Sequence, residues 1–334
     1  MVLHKSFPAL VVRRGDDGKV ACGVETLSKG DLPPGDVLIE VDRSSLNYKD
    51  ALATQAHPGV VRQLPHVPGV DCAGHVAESG SSEFSAGDPV LVTGYDLGSG
   101  SWGGYSAFVR VPAAWVVALP TGLSLRDAMT YGTAGFTAAQ CVSAIQHHGI
   151  QPKAGQVVVT GATGGVGSVA VALLAKLGYS VTAVTGKPKQ AKLLQQLGAH
   201  QIIPREEVDD RSEKPLLPAR WAAAVDTVGG NTLATLLRSI DHRGCVAACG
   251  LAAGDNLPTT VYPFILRGVT LAGIDSAKCP REPRLEIWKK LAAEWNVVER
   301  LQPLVREVTL GDIPREAKTM LAGQNHGRIL VLPQ

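Results

Sequence analysis

The rhythm of apolar positions changes once along the chain. Over about the first 125 residues, apolar runs are short and broken by turns: VLIEV at 37–41, VLVT at 90–93 and FVRV at 108–111, with a Pro/Gly turn at 65–69 and a Gly/Ser-rich loop at 95–104. Short β-branched runs bounded by Pro, Gly and Ser predict an all-β unit with few helices. From near Ser124 to about Asp275, apolar runs at 157–160, 181–185, 201–203, 222–226, 245–249 and 269–274 alternate with helical patterns such as 168–177 and 189–197. Each of those two helices ends at a glycine, Gly178 and Gly198, where a left-handed cap is wanted. Alternating βαβ units with continuously apolar strands predict an α/β, doubly wound parallel sheet of the Rossmann kind. The tail predicts a helix over 283–295 and a last strand over 328–332, with no internal repeat and no long linker.

Composition narrows the class. At 334 residues the chain has room for two domains, and 45% hydrophobic against 19% charged residues favours a large core over disorder. Thirty-two Lys+Arg against 30 Asp+Glu leave a net charge of +2, so no basic face for nucleic acid is expected. The opening MVLHKSFPALVVRRGDDG reads as a strand and turn rather than a secretory signal. The apolar stretch 166–177 is too short to span a membrane and contains Lys176. The expectation is a soluble, cytoplasmic protein with no membrane partner. Six cysteines (Cys22, Cys72, Cys141, Cys245, Cys249, Cys279) form no CxxC pair and no metal-like ladder, and are read as buried free thiols.

Candidate chemistry begins at 157–167, VVVTGATGGVG: an apolar strand, a Gly-rich turn, then a small-residue helix. That context makes the Ala162-x-Gly164-x-x-Gly167 spacing a dinucleotide fingerprint. Thr163, Gly164, Gly165 and Val166 are placed at the pyrophosphate, on a helix N-terminus with unpaired N–H groups, and Gly167 lets the helix pack on the strand. An NAD site needs an Asp or Glu about 20 residues on, yet no acid occurs from Ser168 to Arg205. Thr185, Gly186, Lys187 and Arg205 stand there instead and point to a 2′-phosphate, hence NADPH. Lys189 and Lys192 read as solvated helix lysines, His147-His148 as a helix surface, and Cys245 and Cys249 as parts of a buried strand.

Further segments carry a family likeness: GTAGFTA (132–138), SSLNYKDALA (44–53), PGVDCAG (68–74), WGGYSA (102–107), AACGLA (247–252) and PFILRGVTLAGIDS (263–276). With the order of domains, they resemble the medium-chain dehydrogenase/reductase superfamily, in its acryloyl-CoA reductase and quinone oxidoreductase branch. The resemblance implies a GroES-like β-rich catalytic domain over 1–125, completed by 276–334, and a Rossmann NADP-binding domain over 126–275. Zinc members of the superfamily carry a Cys in the segment that here reads Leu46-Asn47-Tyr48, and a His-Glu pair where this chain has Val70-Asp71. The resemblance therefore implies no metal.

It also implies the chemistry. Hydride delivered to the β-carbon of an enone or enoyl thioester leaves an enolate oxygen, and without zinc that charge needs a hydrogen-bond donor. Tyr48 is the first candidate, as proton-bearing donor or as a ring beside the nicotinamide. Asn47 is expected to orient the carbonyl or to cap its turn, and Lys49 to face solvent or a substrate phosphate. Asp50 and Asp71 are expected to pair with Arg328. Leu251, Ile265, Ser276 and Asn325 join Tyr48 as expected cofactor contacts. The expected substrate is acryloyl-CoA or a similar short enoyl thioester. The alternatives are a quinone or free enone, or a non-catalytic NADPH-binding protein. An apolar outer strand at 269–274, with Leu271 at its centre, predicts a homodimer through that edge, the alternative being an edge covered by the helix over 283–295.

Overall fold

The computed structural model describes residues 6–334, so residues 1–5 of the opening segment lie outside the described residues. The chain forms two compact units, one of residues up to Thr133 with Ala277–Ala292 and Leu304–Gln334, the other of Ala134–Ser276 with Ala293–Pro303. The sequence reading assigned all of 276–334 to the first; the piece Ala293–Pro303 instead packs with the second. There Lys176 reaches the carbonyl of Asn296.

In the first unit, Ser6–Arg14 and Val20–Ser28 form an antiparallel hairpin. A seven-stranded sheet runs in the order Val305–Thr309, Arg328–Leu332, Val37–Ser45, Asp71–Ser79, Pro89–Thr93, Val117–Ala118, with Phe108–Val111 paired to Val37–Ser45. The last two long strands of the chain are parallel to each other, while Arg328–Leu332 meets Val37–Ser45 antiparallel. That pairing sets Leu330 opposite Ser45, so the C-terminal strand delivers Arg328 to the end of the strand that leads into residues 46–50. One face buries Leu10, Leu38, Leu46, Tyr105 and Ile329, the other Val37, Ile39, Cys72 and Val92. Among the described residues before Leu125 the one α-helix is the short Tyr48–Ala53, in keeping with the few helices expected there.

In the second unit, the six expected strands are present as Gln156–Val159, Ser180–Thr185, Gln201–Pro204, Trp221–Asp226, Ile240–Ala248 and Thr270–Gly273, all parallel. Their spatial order is third, second, first, fourth, fifth, sixth, the doubly wound arrangement whose ligands bind beyond the carboxyl ends of the strands. Gly165–Lys176 buries an unbroken run from Gly167 to Leu174. Gly178 (φ +85°) and Gly198 (φ +104°) take the left-handed geometry expected of them. The segment Leu125–His147 is helical on both sides of a break at Gly132 (φ +51°, ψ −156°). Among the described residues no helix is long and apolar enough to cross a membrane.

Candidate functional site

The dinucleotide loop follows the strand Gln156–Val159. Its sharp turn is made by Gly161 (φ +57°), one residue before the Ala162 that opens the fingerprint spacing. A glycine directly after an apolar strand was the available signal for it. Gly164 is the N-cap of Gly165–Lys176 and supplies no side-chain cap, so the first N–H groups of a 12-residue helix are open to an anion. A Cβ at Gly167 would strike the Gly161 carbonyl, which is the close helix–strand approach the third glycine permits. Asp226, missed in the sequence, braces this turn from the next strand. Its Oδ1 accepts from Thr160 Oγ1 (2.6 Å) and its Oδ2 from the Gly229 N–H (2.8 Å), while burial raises its pKa.

Beyond the second strand, Thr185, Gly186, Pro188, His200, Ile202 and Arg205 line a cleft of about 660 Å³. Thr185 Oγ1 accepts from the Lys187 N–H (3.0 Å) and lies 3.5 Å from Thr163 Oγ1. The Arg205 guanidinium lies over Gly186, where any Cβ would collide with it. It forms no ion pair among the described residues. Burial, and then the positive charge of Arg205, lower the pKa of Lys187. Two cations that repel one another, with an apolar wall beside them, suit a phosphorylated ribose and an adenine. Glu206 also lines the cleft. It is an acid the sequence window stopped one residue short of, beyond the third strand rather than at the end of the second.

In the first unit, Asn47 stands at the N-cap position of Tyr48–Ala53, without a side-chain cap hydrogen bond. Asp50 Oδ2 accepts from the Asn47 N–H (2.8 Å), the reciprocal half of a capping box. Asp50 Oδ1 accepts from the N–H groups of Gly69 (3.1 Å) and Val70 (2.8 Å). Its carboxyl is fully buried; burial, then the nearby charge of Asp71, push its pKa up to about 7. Asp71, also fully buried, accepts from Ser45 Oγ (2.5 Å), Asn47 Nδ2 (2.7 Å) and the N–H and Oγ1 of Thr133.

Arg328 corrects an expectation, because it bonds neither carboxylate directly. Its Nη1 donates to Asn47 Oδ1 (3.2 Å), Nη2 to Ser45 Oγ (2.8 Å) and Nε to the Thr130 carbonyl (2.8 Å). Ser45 and Asn47 stand between Arg328 and Asp71, so opposite charges balance through two shared polar groups. Ser45, Tyr105 and Thr133 were not read from the sequence as site residues. Tyr105 is fully buried with its hydroxyl 3.3 Å from the Ser45 carbonyl; burial, followed by the charges of Asp50 and Asp71, raises its pKa. Tyr48 differs from all of these. Its side chain is 46% exposed, and its hydroxyl has no hydrogen bond among the described residues.

The remaining expected contacts are scattered. Leu251 and Ile265 are exposed on the second unit, and Ser276 Oγ accepts from Thr137 Oγ1 (2.7 Å). Asn325 lies in the first unit, its Oδ1 accepting from Arg306 (3.2 Å). No group of three or more His, Cys, Asp or Glu side chains among the described residues is placed to hold a metal ion. Asn47 and Val70 occupy the two positions at issue, and Asp71 is fully engaged by protein donors.

Two family models match: "Alcohol dehydrogenase GroES-like domain" over 33–121 and "Zinc-binding dehydrogenase" over 165–294. The chain is 47% identical to the acrylyl-CoA reductase AcuI of Ruegeria pomeroyi over 97% of its length and 98% of that protein's. It is 46% identical to the "Putative quinone oxidoreductase YhfP" of Bacillus subtilis, at 97% and 98% coverage. The crystal structure of Escherichia coli YhdH with bound NADPH superposes with a TM-score of 0.94 at 46% identity, covering 98% of this chain and 100% of that one. The chain belongs to the medium-chain dehydrogenase/reductase superfamily, in the branch that contains AcuI and YhfP.

Proposed function

We propose that this chain is a zinc-independent, NADPH-dependent reductase of a carbon–carbon double bond conjugated to a carbonyl, with acryloyl-CoA or a similar short enoyl thioester as substrate. The substrate class rests on the extent of the likeness to AcuI. The chemistry rests on one observation, the saturation of Asn47. Its amide nitrogen is committed to Asp71 and its oxygen to Arg328, which leaves the Tyr48 hydroxyl as the donor free to meet a substrate oxygen.

The cofactor cleft fits NADPH through the helix N-terminus at Gly165, the unpaired guanidinium of Arg205 and the side chain of Lys187. NADPH supplies hydride for the carbon β to the carbonyl. The chain's own part is to hold Tyr48 where its O–H can donate to the carbonyl oxygen as charge develops there. Asp50, Asn47 and Arg328 keep the first turn of the Tyr48 helix in register, as positioning groups. The donor set does not suit zinc, so no Lewis-acid role is assigned. A quinone or free enone is the second reading, favoured by the likeness to YhfP.

The second unit's edge supports a homodimer. Thr270–Gly273 pairs with Ile240–Ala248 as the outermost strand, and Val261, Tyr262, Ile265 and Leu266 just before it are exposed. An apolar edge of this kind is a liability unless paired. The six free thiols suit a reducing cytoplasm. Steady-state NADPH oxidation with acryloyl-CoA, crotonyl-CoA and a benzoquinone, with and without a chelator, tests the reading. The expected result is highest kcat/KM on acryloyl-CoA, unaffected by chelation. Turnover of the quinone alone, or loss of activity with zinc, would overturn it.

A further inference from the structure

Away from the buried cluster, the first unit gathers charge at one place on its surface. Arg62 Nη2 lies 3.5 Å and Lys278 Nζ 3.0 Å from the same oxygen, Asp96 Oδ1. The three come from separate segments. Arg62 follows the helix Tyr48–Ala53 through a turn in which the His57 N–H donates to the Leu52 carbonyl (3.2 Å) and the Val61 N–H to the His57 carbonyl (2.9 Å). Asp96 is fixed by its own carbonyl, which accepts from the N–H groups of Ser99 (3.2 Å) and Ser101 (2.8 Å). Lys278 is brought in by the Tyr95 N–H, which donates to the Ala277 carbonyl (2.8 Å). Buried Arg284 donates to the Thr93 and Ala277 carbonyls and ties the same two segments.

The cluster holds a guanidinium in the open. A Cβ on Gly100 would meet the Arg62 guanidinium carbon at 3.2 Å and the Asp96 side chain at 3.1 Å, so glycine keeps room for both. Arg205 lies over Gly186 in the same way in the cofactor cleft. The side chains of Arg62 and Lys278 are 71% and 57% exposed, and that of Asp96 only 29%, so the cations face solvent while the carboxylate is covered. No Asp or Glu occurs from Ala51 to Val70 or from Leu97 to Arg126, and the stretches that carry Arg62 and follow Asp96 add no other acid. An exposed ion pair at 3.5 Å contributes little. Arg62 therefore loses little by turning to a phosphate, with which a guanidinium makes paired, charge-assisted bonds.

We propose that Arg62 and Lys278 bind the phosphate groups of the coenzyme A carrier and so hold the thioester by its far end. This rests on the enoyl-thioester reading above. The path from the site to the cluster is short. Asp50, on the Tyr48 helix, accepts from the Val70 N–H (2.8 Å), the Val70 carbonyl accepts from the Gly94 N–H (3.0 Å), and Asp96 is two residues on. At about 3.5 Å per residue, that puts Asp96 within about 20 Å of the helix, a span that an extended pantetheine arm covers. The arm is uncharged, so the two cations act on the anionic end alone. They do not touch the reacting atoms, and binding of that kind lowers KM without raising kcat.

Two measurements on the full chain separate this proposal from the reading it rests on. One is calorimetric titration with free CoA, which needs no turnover. The other is NADPH oxidation with acryloyl-CoA and with acryloyl-pantetheine, which keeps the reacting group and lacks the nucleotide. Arg62→Ala together with Lys278→Ala is expected to weaken CoA binding, and to raise KM for acryloyl-CoA, roughly 10-fold or more. The kcat should stay within about 2-fold, and KM for acryloyl-pantetheine should not change. CoA affinity unchanged in the double variant, an equal rise in KM for both esters, or a wild type that does not bind CoA would each overturn the proposal. A wild type that binds CoA through these two residues yet reduces neither ester would support the site and count against the enoyl-thioester reading instead.

Discussion

The guanidinium of Arg328 donates to Asn47 Oδ1 at 3.2 Å, across 281 positions of sequence. At the other end of the same amide, Nδ2 donates to Asp71 Oδ2 at 2.7 Å. A cation on its oxygen and a carboxylate on its nitrogen fix which way the amide points. Because Asn47 also stands at the N-cap position of Tyr48–Ala53, two distant strands set how that helix starts and where Tyr48 is carried.

Replacing Tyr48 by Phe removes only the hydroxyl, from an exposed ring with no intramolecular partner. If that hydroxyl stabilises the enolate oxygen, kcat should fall roughly 10²–10³-fold with little change in KM, as for one lost oxyanion donor. Stopped-flow NADPH oxidation with acryloyl-CoA measures it, and an unchanged kcat would leave Tyr48 as a packing group.

Arg205→Ala tests cofactor choice. A charge-assisted bond contributes about 1.5–3 kcal/mol, so kcat/KM for NADPH should fall roughly 10–100-fold while that for NADH stays near its starting value. Equal losses with both cofactors would show that the residue does not read the 2′-phosphate.

Gly132→Ala should be severe. The residue is left-handed, and a Cβ there would meet Asp71 Oδ2 at 2.5 Å, Ser45 Oγ at 2.6 Å and Arg328 Nη2 at 2.7 Å. Backbone strain and disruption of a buried polar cluster together should cost about 3 kcal/mol or more. Denaturant unfolding gives the number, and a loss below about 1 kcal/mol would mean that the cluster yields easily.

Asp50 makes stability depend on pH with a definite sign. Its carboxyl is raised from an ordinary 3.8 to about 7 in the fold, so the folded state favours the protonated form. That contribution is full below the unfolded value and is lost as pH rises through about 7. Asp71, Arg328 and Tyr105 are the charged and titratable groups around it. Between pH 5.5 and 8.5 the Tm of the wild type should therefore drop relative to that of Asp50→Asn, by at least about 3 °C. A constant difference between the two would show that Asp50 does not titrate in this range.

The edge strand predicts assembly. Light scattering should give about twice the 35.0 kDa chain mass, and Leu266→Lys, on the exposed helix face beside the edge, should weaken the dimer. Leu271, the position first suggested by the sequence, packs against the unit's core, so a lysine there would test folding as much as assembly. A single-chain mass for the wild type would rule the dimer out.

The second unit was legible because its determinants are local. Six apolar runs, two glycine caps and a strand–turn–helix fingerprint each act within a few residues, through side-chain burial, left-handed φ and open N–H groups. The missing acid between Ser168 and Arg205 is equally local, and of the residues it drew attention to, Thr185, Gly186 and Arg205 line one cleft. Less was legible in the first unit. Strands such as Asp71–Ser79 carry buried Asp, Gly and Cys and show no clean alternation, and a six-residue helix at Tyr48 leaves too short a pattern to find.

By itself, the sequence determined the α/β class, the parallel sheet, the anion-binding turn and the presence of Tyr48, Asp50, Asp71 and Arg328 as candidates. Only the tertiary structure decided their partners. It set Arg328 on Asn47 and Ser45 rather than on a carboxylate, and put Tyr105 and Thr133 into the cluster. It engaged both ends of the Asn47 amide and left the Tyr48 hydroxyl without a protein partner among the described residues. The physical reason is that burial and hydrogen-bond saturation are properties of neighbours in space. Residues 45, 71, 105, 133 and 328 become neighbours only when an antiparallel register brings the last strand of the chain beside the first strand of the large sheet.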